Sequence, residues 1–155
     1  MDKPQIKALI DKAYAARKAG DVEALVSLFR PDGVFRVAGA PESFPVAASA
    51  KGEAEIRERI RGFVQAFQFM EIEPLDLIVE GDKAARRWRA KIRHVPSGTV
   101  YEMEAGDIWT FKDGRIASLI QFVDTAQVAD ILKAAEPSLF REPASRTAPP
   151  AGAPH

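Results

Sequence analysis

Residues 70–123 read MEIEPLDLIVEGDKAARRWRAKIRHVPSGTVYEMEAGDIWTFKDGRIASLIQFV, and three turn signals cut this stretch into four strands. Gly81-Asp82, Pro96-Ser97-Gly98 and Lys112-Asp113-Gly114 are residues that relieve the backbone where a chain reverses, and the segments between them alternate apolar with polar side chains. The expected strands are 70–80, 83–94, 99–111 and 115–123. Connections this short can join only antiparallel neighbours, so the stretch predicts a meander. The third strand alternates most clearly: Tyr101, Met103, Ala105, Asp107, Trp109 and Phe111 share one face, and Glu102, Glu104, Gly106, Ile108 and Thr110 share the other. Asp107 therefore points with the apolar face.

Upstream, the period lengthens to that of helices. Over 4–19, Ile6, Leu9, Ile10, Ala13, Tyr14 and Ala16 recur at three- and four-residue spacing, with Pro4 suited to the first turn and Gly20 to the cap. Asp21 is a good N-cap for a second helix, 22–29, and Pro31, Asp32 and Gly33 read as a turn before a short strand, 34–37. Residues 38–51 hold two prolines and many small residues, a loop long enough to form the rim of a pocket. A third helix follows Gly52, with Ile56, Ile60, Phe63, Val64 and Phe67 as its inner stripe and a solvated charged face opposite. Asp124 or Thr125 caps a last short helix through Leu132. Residues 1–135 thus read as one domain and 136–155, rich in Pro and Ala without periodicity, as a flexible tail. The class is α+β.

A chain of 155 residues with Lys plus Arg and Asp plus Glu balanced at 22 each can bury a single core and carries no net field to gather nucleic acid or an acidic membrane. It has no cysteine, which excludes disulfides, thiolate metal sites and a cysteine nucleophile, and leaves the cytoplasm as the expected compartment. The N-terminal MDKPQIKALIDKAY mixes charge into every turn, unlike a signal peptide, and no run approaches the ~20 apolar residues of a membrane span. The two histidines, His94 before a turn and His155 in the tail, are poorly placed for catalysis or metal binding. No nucleophile triad, phosphate loop or metal cluster can be assembled, so no cofactor is expected.

Three segments carry a resemblance: AARKAGDVEALVSLFRPDGVF (15–35), LIVEGDKAARRWRA (77–90) and DIWTFKDGRIASLIQFVDTAQVADIL (107–132). They resemble the helix-GD-helix-strand opening, central hairpin and closing strands of ketosteroid isomerase-like and SnoaL-like proteins of the nuclear transport factor 2-like superfamily. The resemblance implies a cone-shaped (cystatin-like) fold, three N-terminal helices packed on a curved antiparallel sheet with a short C-terminal helix, holding a small apolar ligand. The motifs mark turns, caps and core positions and name no reaction.

The resemblance also places Asp107 on the oxyanion-hole aspartic acid of ketosteroid isomerases, an acid kept protonated by apolar surroundings so that it can donate a hydrogen bond. Tyr101, Met103, Trp109 and Trp88 would supply such surroundings here, because burial disfavours the charged form. The competing reading is a structural aspartate bonded to a backbone amide or to Arg86 on the neighbouring strand. Other parts of that apparatus do not carry over. The catalytic base position falls on Val37, which cannot take a proton, and the oxyanion tyrosine falls on Ala13, with Tyr14 rotated from it by about 100°. Tyr14 serves either as a pocket residue or as core.

Arg86, Arg87, Arg89, Lys91 and Arg93 make a basic strand. Alternation turns Arg86 inward, beside Asp107, where the pair could bind a carboxylate or position a water. The outward residues suggest either a nucleic-acid surface or cross-strand pairing with Glu102 and Glu104, and the second is favoured. Gln121 lies inward with Leu119 and Val123, a candidate ligand contact. The ligand-binding set is therefore Tyr14, Phe67, Arg86, Trp88, Tyr101, Met103, Trp109 and Gln121, with Asp107 as the catalytic candidate. Three functions fit: a cofactor-free isomerase, cyclase or hydrolase acting on a small apolar carbonyl or epoxide; a ligand-binding domain without catalysis; and a dimerisation module using Ile108, Ile120 and Phe122. A homodimer is expected in each case.

Overall fold

The computed structural model describes residues 1–140, which form four α-helices and one six-stranded sheet. Helix ends fall where the capping residues put them. Asp2 and Gln5 close a capping box on α1 (Lys3–Ala19), and Gly20 ends it in the left-handed conformation, φ 68°. Asp21 accepts from the Ala24 N–H to start α2 (Val22–Val26). That helix is shorter than the expected 22–29, because Phe29 already belongs to β1 (Phe29–Val37), where its ring meets Phe35 at 6.4 Å. The register of β1 shifts between Phe29 and Val34, so Pro31-Asp32-Gly33 bulges within the strand rather than turning ahead of it.

Residues 38–51 are less irregular than expected. They contain a 3₁₀ turn, Pro45–Ala47, and a two-residue strand β2 (Ala50–Lys51) that pairs antiparallel with β1. Arg59 of α3 (Gly52–Ala66) holds this segment by donating to the carbonyls of Val46, at 3.0 Å, and Ala48.

The meander follows as β3 (Phe67–Glu80), β4 (Lys83–His94), β5 (Val100–Lys112) and β6 (Arg115–Phe122), in the sheet order β2-β1-β6-β5-β4-β3. Phe67, expected on the α3 stripe, caps that helix and opens β3. Pro74 is tolerated because β3 is an edge strand, and irregularities between Phe69 and Glu71 and between Pro74 and Leu77 bend it. Asp113 and Gly114, at φ 52° and 73°, make the tight β5–β6 turn. The β1–β6 pairing is parallel, with Phe35 opposite Leu119, and every other pairing is antiparallel.

Alternation sorts β4 as expected, with Arg86, Trp88, Ala90 and Ile92 buried between exposed neighbours. On the outer face Arg87 reaches Asp76 and Glu104, each at 2.7 Å, and Arg89 lies 3.6 Å from Glu73 and 3.7 Å from Glu104. Arg87 and Arg89 thus meet acids on both neighbouring strands. Helix α4 (Thr125–Ala135) starts on the Asp124 cap and buries Val128 and Leu132 in the cluster that holds Val37, Phe44, Trp88 and Met103. The expected tail begins with a 3₁₀ turn, Pro137–Phe140, and its remainder, 141–155, lies outside the described residues. Among the described residues no helix is long and apolar enough to cross a membrane.

Candidate active site

Asp107 is 2 % exposed on the inner face of β5. Tyr14 of α1 slots between Trp88 and Trp109, ring centroids 6.3 and 6.0 Å away, and its hydroxyl donates to Asp107 Oδ2 at 2.7 Å. Trp88 Nε1 donates to the same oxygen at 2.8 Å. Oδ1 has no hydrogen-bond partner. Two donors on one oxygen fix the carboxyl on the wall of a cavity, while Oδ1 is buried and lacks a close donor, with Gln121 opposite Asp107 in the register.

Burial pushes the Asp107 carboxyl up to about 6, and the Tyr14 and Trp88 hydrogen bonds pull it back part of the way. Gln121, opposite Asp107 in the β5–β6 register, also favours the charged form, although no hydrogen bond reaches Oδ1. The group thus titrates close to neutrality, where a proton donor or acceptor works best. Burial, and then the charge of Asp107, push the Tyr14 phenol upward from its usual value, so it stays a neutral donor.

The cavity measures about 100 Å³. That is smaller than the roughly 150 Å³ of an engineered cavity that admits benzene. Tyr14, Trp88 and Trp109 surround Asp107 on its wall, and Phe67, Tyr101, Met103 and Gln121 line it further along. Phe44 and Val46 reach it from 38–51, giving that segment the rim position its length suggested.

Arg86 is a correction. It is buried at 5 % exposure on the inner face, but it does not line the cavity. The register sets Arg86 opposite Asp107 as expected, but its Nη2 turns to Asp11 Oδ1 of α1, at 3.8 Å, while Tyr14 and Trp88 occupy Asp107 Oδ2. The one-residue offset of Tyr14 does not exclude it either. Ala13 and Tyr14 both line the cavity, since the side of a helix laid on a sheet spans more than one position. Val37 sits on the wall as an alkyl group, 3 % exposed. His94 is fully buried outside the cavity, its Nδ1 2.8 Å from Ser97 Oγ. Among the described residues no three His, Asp or Glu side chains gather as a metal site.

Sequence reasoning missed Arg17. One helical turn after Tyr14, it lines the same cavity, donates from Nη2 to the carbonyls of Phe63 (3.2 Å) and Phe67 (2.7 Å), and lies 4.1 Å over the Phe69 ring. Burial lowers its pKa to about 10, so it remains charged at neutral pH. Its three-residue spacing from Tyr14 was the available signal.

A curved, unclosed sheet whose inner face is covered by helices around a pocket defines an α+β fold of the nuclear transport factor 2-like kind. The profile of the SnoaL-like domain family matches residues 10–119, and the chain belongs to that family. Among solved structures, it is similar to an NTF2-like protein from Burkholderia pseudomallei (TM-score 0.71, 16 % identity, covering 88 % of this chain and 99 % of that one). It is also similar to TerC co-crystallised with polyporic acid (0.70, 20 %, 84 % and 99 %). A third is the epoxide hydrolase/cyclase-like enzyme SalBIII, of pyran ring formation in polyether salinomycin (0.68, 23 %, 81 % and 95 %). No curated protein matches the chain.

Proposed function

We propose that this domain binds a small, largely apolar carbonyl or epoxide compound and catalyses a cofactor-free isomerisation, cyclisation or hydrolysis on it, with Asp107 as the acid–base group. The observation that carries the reading is Asp107 itself, a buried carboxyl on the cavity wall with one oxygen held by Tyr14 and Trp88 and the other without a close donor. Ionised, Oδ1 can accept a proton from carbon next to a carbonyl or from a hydroxyl attacking an epoxide; protonated, it can return one. Trp109 Nε1 is buried on the same wall and faces the Tyr14 hydroxyl. The likeness to SalBIII supports the reaction class, and TerC with its organic ligand supports the pocket.

The test is binding of propionamide, a carbonyl compound compact enough for a cavity of about 100 Å³, followed by the fluorescence of the wall tryptophans Trp88 and Trp109, in wild type and Asp107→Ala. The alanine variant should bind about tenfold or more weakly, the worth of one charge-assisted hydrogen bond. Equal binding would make Asp107 structural. The alternative is a binding domain without catalysis, favoured by the alkyl side chain of Val37 where ketosteroid isomerases place their base. Recovery of a tightly bound ligand unchanged after long incubation would select it.

We also expect a homodimer through the outer sheet face. The register aligns Ile78, Ala85, Ile108 and Ile120 in one row across four strands, with Ile78 and Ile108 exposed. Beside this row the mixed-sign Asp76, Arg87 and Glu104 allow a two-fold copy to approach without net repulsion. Ile108→Glu should shift the mass seen by sedimentation at micromolar concentration from dimer to monomer. A monomeric wild type ends this expectation.

A further inference from the structure

Phe44 and Val46 of the cavity wall come from a segment that the rest of the fold scarcely holds. Ala38 is still tied to the sheet, its N–H donating to the Gln121 carbonyl at 2.8 Å, and β2 resumes pairing with β1 at Ala50. Between them, among the described residues, the backbone hydrogen bonds of 39–48 run only within the segment: Ser43 and Phe44 donate to the Ala40 carbonyl, and Ala47 to that of Phe44. Such backbone can leave as a unit, because no ladder breaks when it moves. Apart from Val123, every other lining residue stands on a helix or a strand, so the wall opens here at least cost.

Two side-chain contacts hold the segment down. Residues 39–43 are exposed, and Phe44 then turns in to 4 % exposure, in the cluster of Val37, Trp88 and Met103. Beyond it, Arg59 donates from Nη1 to the carbonyls of Val46 and Ala48, its only hydrogen-bond acceptors among the described residues. Gly39 makes room for the ring. At φ 151° it takes a backbone conformation that other residues avoid, and a Cβ there would lie 3.3 Å from the Phe44 ring and from Ala47 Cβ.

We infer that residues 39–48 are the lid of this cavity, with Phe44 as its plug and Arg59 as its latch, and that Phe44 sets the largest ligand the site accepts. The size role rests on the cavity being the ligand site proposed above. With Phe44 seated, about 100 Å³ takes only a compact molecule. A ligand enters as the segment lifts, and the ring reseats only over one small enough to leave its place free. The substrate class narrows from small carbonyl or epoxide compounds to those below the size of an aromatic ring.

The chain has no cysteine, so one introduced thiol reports on one position. Ala47, in the segment, and Ala90, on β4, are each 3 % exposed, and a thiol at either reacts with a soluble disulfide reagent only when that place opens. Ala47→Cys should label at least about tenfold faster than Ala90→Cys. Adding Arg59→Met, which removes both latch bonds, should speed Ala47→Cys about tenfold further and leave Ala90→Cys unchanged. Equal labelling of the two positions overturns the lid, and so does an Arg59→Met effect that is absent or the same at both. Labelling is read without ligand, so it decides the lid even where the ligand site fails. The plug is tested by tryptophan fluorescence with propionamide and benzamide. Phe44→Ala should move the ratio of their affinities at least about tenfold toward benzamide, because the vacated space buries a ring. An unchanged ratio overturns the size role. Should Phe44→Ala not fold, Phe44→Leu decides by the direction of the same ratio.

Discussion

At pH 8, Asp107→Asn should resist urea better than the wild type relative to its behaviour at pH 4, and should lose about a hundredfold or more of any turnover. The stability part follows from linkage. The Asp107 carboxyl is raised from 3.8 to about 6 on folding, so between these values the native state binds more protons than the unfolded one. Stability from this group is therefore fully present below about pH 4 and is lost as pH rises through 6. A shift of this size corresponds to about 3 kcal/mol, at roughly 1.4 kcal/mol per pH unit. Asparagine does not titrate, and its oxygen can still accept from Tyr14 and Trp88. The difference between variant and wild type should move by about 3 kcal/mol in favour of the variant from pH 4 to pH 8. The amide turned toward the cavity adds an offset that does not vary with pH, so the change with pH carries the test. A difference that stays flat would mean that Asp107 keeps an ordinary carboxyl pKa despite its burial. Other titrating groups, such as the buried His94 with its lowered pKa, act in both proteins and cancel.

The inward direction of Asp107 was legible because strand alternation has a period of two and β4 pairs with β5 without a register shift from Lys83 opposite Thr110 to Arg93 opposite Val100. The identity of its partners was not. Which helical residue meets which strand is set by packing, and periodicity says nothing about it, so Arg86, which does lie opposite Asp107 in the register, was expected to bond it, whereas α1 brings Asp11 to Arg86 and Tyr14 to Asp107. Arg17 escaped for a related reason. A charged residue on an amphipathic helix reads as solvated face, and only the completed site shows that its spacing from Tyr14 puts it inside. The exit from α2 was misread because Leu28 and Phe29 suit a helix or a strand equally, and the parallel pairing that draws Phe29 into the sheet comes from Ile116, far along the chain.

Tyr14→Phe isolates the contact that sequence left open and decides how Asp107 works. Phenylalanine keeps the ring between Trp88 and Trp109 and removes only the hydroxyl. That hydroxyl favours the ionised carboxyl, so its loss should raise the Asp107 pKa from about 6. A hydrogen bond to a charged group is worth about 1.5–3 kcal/mol, which corresponds to a rise of about 1–2 pH units, readable as the carboxyl carbon shift in an NMR titration. If Asp107 is a base, the acidic limb of the pH–rate profile moves up by the same amount, so turnover falls about tenfold near pH 7 and recovers near pH 9. If it is the acid, the variant instead stays active to higher pH than the wild type, because the protonated form persists there. An unshifted titration would show that the Trp88 donor alone sets the charge of Asp107, and would leave Tyr14 as a packing residue whose hydroxyl merely follows the carboxylate.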